Sequence, residues 1–411
     1  MAKHMHMNKQ EVLLSILIAT KNRQKYCLSA VESILSLPDE NIQVVVQDNS
    51  DDQTLSNMLE PFIGDPRLVY RYTPPPFSSI DNFNAALELA TGEYVCLIGD
   101  DDGINPEIIV ATQWANDNNV DSLVGNINAN YRWEGTGAPD TFFTKMTGGT
   151  LTILDFNGEA KVIDLEDSLN KLMENGCTNY LDFPLPKLYH GVVRKKIFDD
   201  LKVQTGAYIK GLSPDIYSAI ALACNVNKMV QIDYPFTIPG VCGQSTSITE
   251  GQLKKHSKRL EDAPHFRDRG DYSWAKEVPR IYCVQTIWAD SGFAALREMG
   301  REDLITKFNK YALYANILYA DPSLKDLLQE KIEEDKKAGS FSAKELSRTL
   351  SRIRRKDIIK RGLRRLQIIL KMKELVNATG LEDIHKAMDY LTGFLHKKKI
   401  NFIQNLSQVN R

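Results

Sequence analysis

A chain of 411 residues, 43% of them hydrophobic and 25% charged, has the make-up of an ordinary globular protein, long enough for two domains and an appended segment. Its formal net charge of −2 gives no overall reason to expect nucleic acid, and no apolar run reaches the length of a membrane span. The six cysteines, Cys27, Cys96, Cys177, Cys224, Cys242 and Cys283, are scattered without a Cys-x-x-Cys pair, which argues against a structural zinc site and fits reduced thiols in a cytoplasmic protein.

Residues 1–10, MAKHMHMNKQ, lack the apolar core of a secretion signal and read as a flexible terminus or a tag. Leu13 to Ala19, LLSILIA, is a buried strand by composition, ending in Thr20-Lys21-Asn22-Arg23 before an amphipathic helix with Tyr26, Ala30, Val31, Ile34 and Leu35 on one face. A second strand, Ile42 to Gln47, ends in Asp48-Asn49-Ser50-Asp51-Asp52, where Ser50 or Asp51 is placed to cap a helix running through Phe62. Leu68 to Tyr72 alternates as a short strand, and Thr73-Pro74-Pro75-Pro76 after it blocks both helix and ladder. Ser78 or Ser79 then caps a third helix carrying Ile80, Phe83, Ala86, Leu87 and Ala90, closed by Gly92.

The next stretch, Gly92 to Glu107, is GEYVCLIGDDDGINPE. Tyr94 to Ile98 is continuously apolar, the pattern of a strand covered on both faces, and it runs straight into Asp100, Asp101 and Asp102. Three adjacent carboxylates repel one another, so keeping them ionised together requires solvent or a cation, and hard oxygen ligands favour Mg2+ or Mn2+. A solvated acidic turn is the alternative. An EF-hand loop is excluded by spacing, since its first ligand position falls on Ile98. Pro106 then suits the first turn of a helix.

Four strands alternating with helices predict a mainly parallel sheet, and such a sheet places Thr20 to Arg23, Asp48 to Asp52 and Asp100 to Asp102 on one edge. The first turn, TKNRQK, has no glycine, which excludes the dinucleotide-binding G-x-G-x-x-G, and no G-x-x-x-x-G-K-[ST] loop is present. From Asp121 to about Thr152 the pattern becomes short strands suited to antiparallel additions, and Tyr189 to Asp200 reads as strand into helix. Ser213-Pro214-Asp215 starts a further helix, with Ser213 as cap and IYSAIALAC as body. After the GQSTSITEGQ loop near residue 250 the chain turns to long helical patterns with few strand signals. Lys344 to Lys373 is strongly basic, with an apolar stripe through Leu346, Leu350, Ile353, Ile359, Leu363, Leu366 and Leu370. That stretch has the make-up of a helix lying on an anionic membrane surface; a solvated face packed by its leucines on a neighbouring helix or subunit is the other reading. No stacking aromatics accompany it, which argues against nucleic acid.

In order and spacing, SILIATKNR, VVVQDNSDD, NAALELATGEYVCLIGDDD and SPDIYSAIALA resemble the family 2 inverting glycosyltransferases over about residues 12–250. The resemblance implies a GT-A-type fold, a mixed, mainly parallel sheet flanked by helices, here followed by an α-helical C-terminal region. The expected division is a nucleotide-sugar-binding half at 11–125, an acceptor-binding half at 126–250, and a helical region at 251–411 containing the basic stretch 344–373. The family implies a metal-dependent enzyme, using Mn2+ or Mg2+, that moves one sugar from a nucleotide-diphosphate sugar, UDP-linked by expectation, to a hydroxyl of a glycan or lipid-linked acceptor in surface polysaccharide synthesis.

By the same resemblance Thr20 and Arg23 line the nucleotide, Asp48 bonds the base, Asp100 or Asp101 the ribose, and Asp102, with Asp100, the metal. Asp215 matches the family's catalytic base, although an acid at a helix start also simply complements the dipole, which lowers its pKa until the pocket desolvates it. The family often has a basic residue before the asparagine that precedes the third helix's apolar body, and here Phe83 precedes Asn84. Asp81, Asn82 and Asn84 are therefore expected only as donor-side contacts. The Gln-x-x-Arg-Trp signature of processive members is not found after Asp215, so single additions are expected. His190 and His256 read as structural or surface histidines. Two other classes compete: a non-catalytic nucleotide-binding scaffold acting through the tail, and a sugar nucleotidylyltransferase, which the glycine-free first turn disfavours.

Overall fold

The computed structural model describes residues 11–135, 148–243, 260, 272–369 and 375–409; His256 and residues 370–373 of the basic stretch lie outside them. Its strands in chain order are β1 (Leu14–Thr20), β2 (Ile42–Asp48), β3 (Leu68–Tyr72), β4 (Tyr94–Ile98), β5 (Gly103–Ile104), β6 (Ser122–Gly125), β7 (Ala129–Arg132), β8 (Thr150–Leu154), β9 (Ala160–Val162), β10 (Gly191–Arg194), β11 (Met229–Ile232), β12 (Thr237–Ile238), β13 (Gly240–Val241) and β14 (Leu375–Thr379). Eight form the main sheet in the order β3-β2-β1-β4-β10-β6-β11-β9. The pairs β1–β2, β2–β3, β1–β4 and β6–β11 are parallel, whereas β10 runs antiparallel to both neighbours. This is the mixed, mainly parallel sheet expected.

The helices that follow the early strands are α1 (Gln24–Leu35), α2 (Thr54–Met58), α3 (Ser79–Leu89) and α4 (Glu107–Asp117); α5 (Leu165–Glu174), α6 (Lys195–Thr205) and α7 (Pro214–Ala223) come later. Leu14, Ile16 and Ile18 of β1 point to one face, where they pack with Cys27, Val31 and Ile34 of α1, and Leu17 points to the other with Ala86 and Leu87 of α3. A period-2 strand buried on both sides explains why its sequence is a continuous apolar run.

The chain builds β1, β2 and β3 in one direction and returns to lay β4 on the other side of β1. Strand order reverses between β1 and β4, and the crevice outside their carboxyl ends is where such sheets bind ligands. Because β10 enters antiparallel beside β4, the segment leading into it, Lys187 to His190, reaches that same edge.

Three local expectations change. The second loop leads not into one helix through Phe62 but into α2 and a 3-10 turn at Glu60–Phe62, with the Asp52 carboxylate accepting from the Thr54 N–H at 2.9 Å. Helix α3 ends at Leu89, and Gly92 is needed instead because a Cβ there would meet the Ser15 nitrogen at 2.7 Å. The C-terminal region also contributes a strand: β14 pairs with β8, in a second sheet ordered β13-β7-β8-β14.

Candidate active site

Register brings the three polar clusters together. Ile18 pairs with Ile98, so two residues further along Thr20 stands beside Asp100, and its hydroxyl donates to Asp100 Oδ2 at 2.7 Å. Thr20 also pairs with Asp48 across β1 and β2. Arg23, at the start of α1, reaches back with Nη1 2.8 Å from Asp100 Oδ1 and 3.5 Å from Asp101 Oδ1. Asn22 adopts a left-handed backbone, which asparagine tolerates, and fastens this turn to the next. Its amide donates to Asp51 and accepts from the Asp51 N–H, and its own N–H donates to Ser50 Oγ. Asp48 is wholly buried, accepting from the Ser50 N–H at 2.8 Å and the Tyr70 hydroxyl at 2.9 Å.

The acid loop is clamped from the far end of the fold. Asp102 accepts from the Gly99 N–H at 2.5 Å and the Gly240 N–H at 2.6 Å, Asp101 accepts from the Cys242 N–H at 3.1 Å, and the Trp133 indole donates to the Asp101 carbonyl at 2.8 Å. Only glycine fits at 240, because a Cβ there would fall 1.7 Å from the Asp101 carbonyl oxygen. Sequence reading missed this clamp, and no local signal could have revealed it: 138 residues separate Asp102 from Gly240.

All three acids are buried, between 4% and 5% exposed, and Arg23 pairs with Asp100 and Asp101. Burial is the main cause pushing Asp100 up to about 6, against the pull of Arg23; burial and the neighbouring Asp101 push Asp102 up further, although the Gly240 and Gly99 N–H groups oppose this. The oxygen donors of this cluster suit a hard divalent cation. Asp100 spends both oxygens on Thr20 and Arg23. Asp102 lies 3.5 Å from Nε2 of His190. Among the described residues no group of three or more acid, histidine or cysteine side chains forms a ready-made metal cage.

His190 joins the acids to an adjoining cleft of about 550 Å³, whose lining includes Phe83, Tyr180, Lys187, Asp215 and Trp288. His190 holds a left-handed backbone, anchored by its N–H to the Leu97 carbonyl at 3.0 Å, and its buried Nδ1 has no hydrogen-bond partner among the described residues. Burial, with the Lys187 charge, pushes it down to about 3, so it is a neutral imidazole. His190, which by sequence reads as a structural or surface histidine, stands at the junction of the acids and the cleft.

Asp215 stands in the first turn of α7 on the cleft wall. Its Oδ1 is sealed from solvent without a hydrogen-bond partner among the described residues, and desolvation pushes the carboxyl up to about 6, so burial outweighs the helix dipole. The loop ahead of it is held by buried Ser291, whose hydroxyl accepts from the Leu212 and Ser213 N–H groups at 3.1 and 2.9 Å. Ser291 and Trp288 belong to a C-terminal helix, Val284–Glu298, so the helical region helps build the cleft. Lys187 has no hydrogen-bond or ion-pair partner among the described residues, and burial lowers its pKa.

The remaining third-helix residues divide. Asn82 is buried, donating to the Thr20 carbonyl at 3.2 Å with Oδ1 unpartnered, which places it at the strand edge. Asp81 is exposed and accepts from the Ser78 hydroxyl at 2.6 Å. Asn84 is not brought to the acids: its amide donates to the Ile80 and Ile209 carbonyls and accepts from the Tyr208 and Ile209 N–H groups, tying α3 to the segment before Asp215.

The chain is similar to known proteins over part of its length. Residues 15–167 match the family model described as glycosyl transferase family 2. A curated relative, the putative colanic acid biosynthesis glycosyl transferase WcaA of Escherichia coli (strain K12), is 32% identical over 101 residues, 24% of this chain and 36% of that protein. The chain thus spans about a third of that relative's length. Among solved structures, S. aureus TarS 1–349 in complex with UDP is 21% identical, with a TM-score of 0.38 over 56% of this chain and 60% of the other. Its complex with UDP-GlcNAc is 20% identical, with a TM-score of 0.39 over 58% and 60%. The match of residues 15–167 to the glycosyl transferase family 2 model is thus the same resemblance that the motifs carry in the sequence.

Proposed function

We propose that the protein is a metal-dependent inverting glycosyltransferase that moves a single sugar from a nucleotide-diphosphate sugar, UDP-linked, to a hydroxyl of a glycan or lipid-linked acceptor in surface polysaccharide synthesis. One observation carries this reading: His190, 3.5 Å from Asp102, lines the same cleft as Asp215, whose buried Oδ1 has no hydrogen-bond partner among the described residues. The UDP and UDP-GlcNAc complexes of TarS and the colanic acid role in the name of WcaA agree with the donor and product classes.

In this reading Thr20, Arg23, Asp48, Asp100 and Asp101 hold the nucleoside, and buried Asn82 offers its free Oδ1 at the same edge. Asp102, with Asp100 beside it, would hold Mn2+ or Mg2+, which when bound neutralises charge on the diphosphate. Lys187 supplies from the β10 side the positive charge that Phe83 fails to supply from α3. Asp215 takes the proton of the acceptor hydroxyl as that oxygen bonds to the anomeric carbon, while the bond from that carbon to the diphosphate oxygen breaks on the opposite face. A carboxyl near 6 is largely ionised at neutral pH and still basic enough to accept that proton.

Incubation with UDP-sugars and Mn2+ tests the reaction class. Slow release of UDP, with the sugar product inverted at its anomeric carbon by NMR, is expected. Retained configuration contradicts the inverting assignment, and no release from any UDP-sugar contradicts the donor.

A further inference from the structure

The helix Ala343–Ile369 has two apolar faces, and among the described residues only one is covered. Thr349 is buried and Leu346, Leu350 and Ile353 are partly so, on the side that packs against the helix Lys310–Ala320. Successive helical residues turn by about 100°, so Ile358, Ile359, Leu363 and Leu366 share an arc of about 140° on the opposite side. These four are 51–64% exposed. By the same rotation Arg354, Arg361 and Arg365 border one edge of the arc, Lys356 and Lys360 border the other, and Arg355 lies within it.

Arg361 is paired with Asp357 and Tyr319, and Lys360 lies 3.2 Å from Asp182. Arg348, Arg352, Arg354, Arg355, Lys356 and Arg365 have no ion-pair partner among the described residues. Between Leu346 and Ile369 the sequence offers a single acid, Asp357. Four aliphatic side chains alone bury too little to bind anything firmly, and the unpaired cations around them must supply the rest from an anionic partner. A second copy of this helix would bring like charges face to face. A bilayer surface with anionic headgroups meets both demands, because Lys and Arg stems can run past the aliphatic arc and put their charges at the headgroups.

We propose that the outward half of this helix, Arg354 to Leu366, is a binding surface for anionic lipid, lying in the headgroup plane with Ile358, Ile359, Leu363 and Leu366 toward the acyl chains. No helix among the described residues is long and apolar enough to cross a membrane.

Flotation of the full chain with phosphatidylcholine vesicles, with and without phosphatidylglycerol, tests this. The protein should float with the anionic vesicles only, and less as salt is added. The triple variant R354S/K356S/R365S should lose about 100-fold in vesicle partitioning, and I359S/L363S should weaken it with the charge unchanged. Thermal melts of both variants check folding, and absence of UDP binding by the wild type bears on the donor reading rather than on this one. Equal flotation with neutral vesicles, no flotation with either, or undiminished binding by the triple variant would overturn the proposal. So would a concentration-dependent dimer in sedimentation that I359S/L363S abolishes, since that assigns the face to a second copy.

Discussion

At neutral pH Asp215 must carry its charge at a desolvated position where Oδ1 has no donor. Its folded pKa lies above that of the unfolded chain, so protonation favours the folded state. Stability from this group is fully present below about pH 4 and is lost as pH rises through about 6. Asp215→Asn should therefore stabilise the protein at neutral pH by about 1–2 kcal/mol, with the gain vanishing below about pH 4 in thermal melts. The same variant should lose transfer by about 100-fold to 10,000-fold and keep UDP binding, and the wild-type rate should climb as pH rises through about 6. A rate that is flat across that window contradicts the base assignment. Lys187 follows similar logic with the sign of charge reversed: burial without a partner lowers its pKa, and an anionic ligand relieves that cost. Lys187→Met should weaken UDP-sugar binding by about tenfold or more without lowering the melting temperature, on the basis of about 1.5–3 kcal/mol for a charged hydrogen bond. Unaltered affinity in calorimetry removes Lys187 from the donor site.

Elements decide how far these side chains can be brought together. The first four strands and α3 were legible because each is a continuous apolar run or a 3.6-period stripe closed by a polar cluster, and a parallel sheet sends those clusters to one edge. The pairing of Thr20 with Asp100 follows from register, which no local pattern specifies until Ile18 and Ile98 are known to face each other. The clamp of Gly240 and Cys242 on the acids was illegible for a related reason: in sequence it is a short stretch after a proline, and its meaning comes wholly from packing against Asp101. Gly240→Ala tests the clamp. A methyl group 1.7 Å from a carbonyl oxygen forces β13 away from the loop, so a loss of about 1–3 kcal/mol in stability is expected together with weaker metal-dependent UDP binding. If melt and binding both stay as in wild type, the loop does not need the clamp.

At the scale of the whole molecule, the C-terminal helices are part of the site. Trp288 lines the cleft and Ser291 fixes the turn that presents Asp215, so the region after residue 250 completes what the sheet begins. Sequence patterning could identify that region as helical, but the choice of which helix lies against the cleft depends on tertiary packing of α7 on Val284–Glu298, which hydrophobic periodicity does not encode. The central claim is that acids from the sheet edge and a base from α7 act on one ligand from two sides. Calorimetry of UDP with and without Mn2+, on wild type, Asp102→Asn and Asp215→Asn, tests it most directly. The account predicts that Mn2+ strengthens UDP binding to the wild type and to Asp215→Asn alike, and that Asp102→Asn loses this strengthening. Metal-dependent binding that survives intact in Asp102→Asn would contradict it.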